Sequence, residues 1–237
     1  LLSGSIAIIS EALHSGSDLA AALIAFWSVR QAARPPDERH HYGHEKVENL
    51  SGVIEALLII AAAGVIIYEG VMKIIDGPAI DRIWLGVGVM VVSGVVNLFV
   101  SRRVLYPVAR RTESAALEAD AAHLMTDVYT SFGVAGGLLL VRVTGWEYFD
   151  PLIAIAVATL IIHTGYRLVT ESTRVLLDET LPADELELIR ACVREHRGDL
   201  ITDYHKLRAR RAGSRRHVDL HVVVDPSLTV AEAHDIA

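Results

Sequence analysis

The sequence lacks the features on which several other classes of protein depend. Its 237 residues include a single cysteine, Cys192, which excludes an intramolecular disulfide and a cysteine-rich zinc site. Its formal net charge of −7 is spread along the chain, so no basic tract points to nucleic acid as a partner. There is no His-Glu-x-x-His motif and no nucleophile elbow, so nothing in the sequence indicates an enzyme.

Apolar residues are abundant instead, at 52% of the chain, which points to membrane spans. A helix needs about 20 apolar residues to cross a bilayer. Five stretches reach that length, at about 4–33, 50–75, 81–107, 115–142 and 149–176. The intervening segments 30–49 and 101–114 are rich in arginine, so the positive-inside rule places them, and the C-terminal part, in the cytoplasm.

The composition changes after Leu177-Asp178, which divides the chain into a membrane domain, 1–178, and a polar domain, 179–237. Because the sequence opens in apolar residues and stops inside a helical pattern, we expect one further span before it and more chain after it. Five visible spans then become six, with both ends in the cytoplasm.

The polar domain has the pattern of a small α+β fold that lacks a final strand. Apolar residues at helical spacing predict a helix over 183–196, and strands follow over 201–210 and 216–224. In the second strand, period-two alternation predicts a core face formed by Val218, Leu220, Val222 and Val224, with His217, Asp219 and His221 on the opposite face. A last helix begins near residue 229.

One eight-residue pattern occurs twice in the apolar segments. Residues 11–18 and 120–127 both follow the order acid-Ala-x-His-x-x-Ser/Thr-Asp. In a helix, His14 and Asp18 lie on one face, as do His123 and Asp127. Ionisable groups are costly in a bilayer and usually mark an ion or proton path. Two imidazoles and two carboxylates from facing helices form a set suited to Zn²⁺, although each His–Asp pair could instead only hold helices together.

These residues resemble the cation diffusion facilitator family of divalent-metal/proton antiporters. The similarity covers essentially the whole chain and includes Ser5-Ile6-Ala7, both His–Asp pairs, the loop 37–48 and Asp150-Pro151. It implies a homodimer in the lipid bilayer of the cell (inner) membrane, with six spans per subunit and a cytoplasmic metal-chaperone-like (ferredoxin-like) domain. It also implies that His14, Asp18, His123 and Asp127 bind the transported ion, in a set that looks like the zinc-preferring branch.

The resemblance implies further roles outside the membrane. A second metal site falls on Asp37, His40 and His44, against the alternative of a solvated polar loop. A regulatory zinc site in the last domain falls on His205, His221 and His234, against the alternative of three surface histidines. Lys46 and Asp178 match a charge pair that joins the dimer at the membrane-facing end.

Metal binding requires neutral histidine and ionised aspartate, so Zn²⁺ and protons compete for the same groups. This competition predicts zinc export in exchange for protons, by rocking of helices around the site. Two alternatives stay open at this stage. The transported ion could be Fe²⁺, Co²⁺, Cd²⁺ or Mn²⁺, or the protein could be a metal sensor or scaffold that binds zinc without moving it.

Overall fold

The computed structural model describes residues 19, 21–77, 83–195 and 201–236, without the side chains of 83–86 and 89. Helix α1 covers 21–32. The other helices of the membrane domain are α2 (Lys46–Asp76), α3 (Ile83–Phe99), α4 (Tyr106–Thr112), α5 (Ala115–Thr144) and α6 (Phe149–Leu176). The C-terminal domain contains α7 (Ala183–Glu195), β1 (Ile201–Ala212), β2 (Arg215–Val224) and α8 (Val230–Ile236). This arrangement confirms the predicted fold class of a helical membrane domain followed by a small α+β domain.

Within the described residues, four helical segments are long and apolar enough to cross a membrane. They cover Lys46–Asp76, Met90–Thr112, Ala115–Thr144 and Phe149–Leu176. Most of the first stretch predicted from the sequence, 4–33, lies outside the described residues. The prediction of an arginine-rich loop at 101–114 was wrong, because Arg102, Arg103, Arg110 and Arg111 lie in helical turns that continue α3. Long arginine side chains can reach water from the end of a spanning helix, so they do not require a loop.

A π-helix, Val100–Leu105, joins α3 to α4. Such wide turns are rare and contain more residues per turn than an α-helix. Ser101 is fully buried within it, and its hydroxyl donates a hydrogen bond to the carbonyl oxygen of Ala121 on α5 at 2.8 Å. The π-helix is therefore fixed against α5 two residues before His123.

Small residues allow α2, α5 and α6 to pack closely. The membrane core consists mainly of alanines with Ile59, Ile161 and Leu168. A Cβ atom added at Gly165 on α6 would lie 2.6 Å from Ile60 of α2, and one at Gly70 on α2 would lie 2.9 Å from Ile155 of α6. With lipid on the outside, helices associate through this kind of close packing rather than through exclusion of water.

The two strands of the C-terminal domain form an antiparallel hairpin, β1–β2, in which Ala209 pairs with Val218 and His205 with His221. The predicted valine core face was wrong, because Val218 is 38% exposed and Val222 is 36% exposed. A strand face is buried only when another element packs on it, and neither α7 nor α8 contains a buried residue.

The turn of this hairpin contacts the membrane domain directly. We call residues 211–216 the hairpin tip. Gly213 has φ +56°, and a Cβ atom added to it would lie 3.0 Å from the Cβ of Glu45. Arg215 pairs with the buried carboxylate of Glu45 at 3.0 Å. Arg216 donates to Glu113, in the turn between α4 and α5, and to Glu185 on α7 at 2.7 Å. One short turn therefore contacts the start of α2 and the start of α5.

Candidate metal sites

The predicted ligands on α5 are buried in the membrane domain. Ser114 caps the helix, and its side chain accepts a hydrogen bond from the backbone N–H of Leu117. His123 is 9% exposed and Asp127 is 6% exposed, one helical turn apart. Thr126 and Thr130 donate to main-chain carbonyls of the same helix and so keep their own hydroxyls satisfied. The helix thus holds an imidazole and a carboxylate inside an apolar segment.

The partner pair, His14 and Asp18, lies outside the described residues. The predicted set of four ligands across two helices is therefore not tested by the structure and stays a prediction.

The loop between α1 and α2 brings three donors together. Ligand atoms of Asp37, His40 and His44 all lie within 4.8 Å of one another, and they are the one such group of three in the described part of the chain. The Nδ1 atom of His40 lies 3.3 Å from Oδ1 of Asp37, and Nε2 of His44 lies 3.3 Å from its Oδ2. The family resemblance implied this group of three, and metal binding by it stays a prediction.

The geometry and charge of this loop cluster suit a divalent cation. Donors bonded to zinc at about 2.1 Å in a tetrahedron are about 3.4 Å apart. The two histidine–aspartate separations of 3.3 Å, which end on different oxygens of Asp37, are close to this value. The backbone N–H groups of His40 and Arg39 hold the pKa of Asp37 below its ordinary value, so its carboxylate is charged. The Nδ1 atom of His44 is buried without a hydrogen-bond partner among the described residues. Two imidazoles with one carboxylate match the ligands that zinc prefers.

The loop that carries this cluster contacts the C-terminal hairpin through Tyr42. The ring of Tyr42 packs edge-on against His217 of β2, with centroids 5.9 Å apart. The guanidinium of Arg210 on β1 lies 5.0 Å from the centre of the same ring. His217 is half-buried by this contact, so it lies in an interface rather than in free solvent.

Lys46 and Asp178 form an ion pair within one chain. The Nζ atom of Lys46, at the start of α2, lies 2.7 Å from Oδ1 of Asp178, just after α6, and Arg210 lies 2.9 Å from the same oxygen. Lys46 is the main cause that holds the pKa of Asp178 below its ordinary value, with Arg210 contributing. The family resemblance implied a role for this pair in the dimer, and the structure places both charges in the same subunit.

The histidines of the C-terminal domain are only partly brought together. His205 and His221 face each other across the hairpin with ring centroids 5.2 Å apart. His234 lies on α8 and forms no three-donor group with them within residues 201–236. The structure thus supplies two adjacent imidazoles, and the full regulatory site stays a prediction.

The sequence analysis missed one buried acid, Glu55 on α2. Its side chain is 1% exposed, and neither carboxylate oxygen has a hydrogen-bond partner among the described residues. Asp120 on α5 is close enough to act on it electrostatically. The available signal was a single glutamate inside the apolar run Val53–Ile67, where an acid is costly.

The chain is similar to known proteins along its whole length. Residues 1–177 match the family model described as the cation efflux transmembrane domain, and residues 181–237 match that of the cation efflux protein, cytoplasmic domain. An uncharacterized transporter of Synechocystis sp. is 37% identical over 235 residues, which cover 99% of this chain and 75% of the relative. The cation-efflux pump FieF of Shewanella oneidensis is 30% identical over 239 residues, which cover 100% of this chain and 78% of the relative. Metal tolerance protein C1 of Arabidopsis thaliana is 31% identical over 253 residues, which cover 99% of this chain and 52% of the relative.

Proposed function

The chain belongs to the cation diffusion facilitator family, also called the cation efflux family, and from this premise we propose that it exports Zn²⁺ in exchange for protons. Membership makes it a multi-pass membrane transporter of divalent metal cations and not an enzyme. The observation that carries the finer proposal is the buried His123–Asp127 pair on α5. An imidazole and a carboxylate in an apolar helix serve poorly as membrane packing and well as ligands.

Completed by His14 and Asp18, the site offers two nitrogens and two oxygens to one cation. Zn²⁺ binds when both imidazoles are neutral and both carboxylates are ionised. The ion therefore loads from the neutral cytoplasm and displaces protons there. On the more acidic side, protons bind the same four groups and displace the ion, after which the protonated site returns. Rocking of helices around a fixed site is sufficient for this cycle.

Zinc flux into proteoliposomes tests the site and the coupling together. We expect His123→Ala and Asp127→Asn each to reduce flux at least about tenfold, because a lost ligand leaves an incomplete shell around a dehydrated ion. His163→Ala is the matched control, since His163 lies exposed on the spanning helix α6. An acidic lumen should accelerate wild-type uptake. Wild-type zinc flux in His123→Ala would refute the proposed site on α5. Zinc flux by the wild type that does not change with the pH gradient would refute the antiport.

Flux measurements in the same vesicles distinguish zinc export from two alternatives, transport of another metal ion and a role as a metal sensor or scaffold. If Fe²⁺, Co²⁺, Cd²⁺ or Mn²⁺ is the main substrate, that ion suppresses zinc flux when both are supplied and is carried faster alone. If the protein is a sensor or scaffold, zinc binds to the wild-type protein in detergent while no flux is measured. Imidazole is a softer ligand than carboxylate, so the two histidines favour Zn²⁺ over Mn²⁺. Fe²⁺, Co²⁺ and Cd²⁺ are not excluded by the ligand set.

We place the active unit as a homodimer in the cell (inner) membrane, with the C-terminal domain in the cytoplasm. The match to a cytoplasmic-domain family model and the arginines at the end of α3 and on α4 support this orientation. Modification of Cys192, which is exposed on α7, tests it. A membrane-impermeant thiol reagent should label Cys192 only after spheroplasts are permeabilised, and labelling of intact spheroplasts would reverse the orientation.

The loop cluster is proposed to hold a second zinc ion close to the C-terminal domain. Calorimetric titration should lose one class of bound zinc in His44→Ala and retain it in His41→Ala. His41 is an exposed histidine interleaved in the same loop but absent from the cluster, so it controls for nonspecific binding. Equal zinc binding by both variants would refute this site and leave the α5 site untouched.

A further inference from the structure

Glu55 is a carboxyl group that neither metal site uses. It lies on α2, nine residues after Lys46, at the level where α2 packs against both α5 and α6. One turn earlier on α2, Gly52 is close to Ser172 of α6, and the main chain of the next residue, Ala56, is close to Gly165. The side chain of Glu55 is 1% exposed, so it is buried where α2 packs against its neighbours.

The surroundings of Glu55 do not compensate a negative charge. Both of its oxygens lack a hydrogen-bond partner among the described residues. Asp120, which faces it from α5, is itself an acid and 9% exposed. On α6, Arg167 and Glu171 are exposed and pair with each other at 3.3 Å. The charge of Arg167 is therefore directed away from Glu55.

An ionised carboxylate that is buried without a partner is far more costly than the neutral acid, which keeps only the smaller penalty of an unbonded hydroxyl. A structural glutamate at this depth would be expected to accept hydrogen bonds, as buried polar groups almost always do. A bound metal would need several oxygens, and among the described residues Asp120 is the one acid that acts on Glu55. The simplest state that satisfies the observed contacts is a protonated side chain.

We propose that Glu55 is a proton-carrying residue of the transport cycle, neutral in this arrangement of helices and ionised when rearrangement lets water reach it. The O–H bond of its acid breaks toward water on the cytoplasmic side, and the carboxylate regains a proton from the acidic side. Zinc transport is then coupled to one proton more than the four-ligand site alone exchanges. This inference rests on the proposed antiport.

Infrared spectroscopy of the reconstituted full chain tests the protonation state without requiring transport. A protonated carboxyl has a carbonyl stretch that is distinct from that of a carboxylate and shifts in heavy water. We expect this band at neutral pH in the wild type and its loss in Glu55→Gln, which keeps the size and neutrality of the acid. Glu69→Gln is the matched control, because Glu69 is an exposed acid on the same helix. A wild-type protein without the band, or a band retained in Glu55→Gln, would overturn the proposal.

Coupling is tested by counting protons released per zinc ion carried, with a pH indicator in weakly buffered vesicles. We expect Glu55→Gln to carry zinc with one proton fewer per ion and Glu69→Gln to match the wild type. An unchanged ratio in Glu55→Gln would overturn the proposal even if the wild type is an antiporter. If the wild type itself ignores the pH gradient, the antiport fails and the coupling claim fails with it, while the infrared band still decides whether Glu55 is neutral.

Discussion

Substitution of Gly213 probes the contact between the hairpin tip and the membrane domain. A Cβ atom at this position would lie 3.0 Å from the Cβ and 3.1 Å from the main-chain oxygen of Glu45. Neither atom can move away without shifting the start of α2. The φ angle of +56° adds a second, separate cost, because residues other than glycine and asparagine rarely adopt this left-handed backbone conformation.

The two costs act on different equilibria. Crowding against Glu45 arises only when the tip is docked, and overpacking of this kind costs about 1–3 kcal/mol. The left-handed backbone of residue 213 is needed whether or not the tip is docked, so its cost of about 1–2 kcal/mol for alanine weakens the turn itself. Asparagine tolerates the left-handed backbone but still has a Cβ atom. Gly213→Ala therefore carries both costs, and Gly213→Asn carries mainly the crowding.

Hydrogen exchange in lipid nanodiscs separates these effects. Protection at residues 43–48, which the tip covers, should fall by about 5- to 150-fold in both variants, as expected for 1–3 kcal/mol. Protection within the hairpin should fall further in Gly213→Ala than in Gly213→Asn. Gly145→Ala is the control, because Gly145 has φ +71° but open space around it, so residues 43–48 should be unaffected. Wild-type protection at 43–48 in Gly213→Asn would refute the reasoning.

Three smaller predictions concern single contacts. A hydrogen bond from Arg216 holds the pKa of Glu113 below its ordinary value of about 4.3, so this half-exposed pair stabilises docking by about 1 kcal/mol above that pH. The contribution is lost as the pH falls through the lowered pKa. Arg216→Ala should remove most of this acid sensitivity of exchange at 43–48, with the remainder coming from Arg211 at 3.6 Å from the same carboxylate, and undiminished sensitivity would contradict the assignment. Ser114→Ala should cost about 1 kcal/mol by loss of the α5 cap, seen as a lower midpoint in thermal unfolding, whereas an unchanged midpoint would make the cap dispensable. Lys46→Ala should raise the pKa of Asp178 in an NMR titration, and an unmoved pKa would show that the ion pair does not form in solution.

The sequence was sufficient for features that depend on local spacing. Long apolar runs predicted five membrane helices, and four helices of sufficient length and apolar character are found within the described residues. The family resemblance predicted a transporter, which is confirmed. The four-residue step between His123 and Asp127 placed both on one face of α5, because helical geometry alone determines it. The loop cluster was implied by the family resemblance, and its three residues are also close in the chain.

Contacts between distant segments could not be predicted in this way. Arg216 and Glu113 are 103 residues apart, and no pattern in either segment points to the other. A lone glutamate in an apolar run was visible in the sequence, but the burial of Glu55 without a hydrogen-bond partner depends on how the helices pack. The valines of β2 alternate as a core face would, but burial depends on an element that covers them, and alternation contains no information about that.

The π-helix at Val100–Leu105 has a consequence for how the chain tolerates change in length. A π-helix differs from an α-helix by residues that are in excess of the regular turn, so removing one residue here would restore regular winding rather than break it. The residues on α3 before the deletion would then keep facing α5 as they do now, because the wide turns accommodate the extra residue without adding a net rotation. Relatives that are one residue shorter in this segment should therefore present the same side of α3 to α5, and an alignment should place the gap inside Val100–Leu105 so that the residues on both sides of it stay paired.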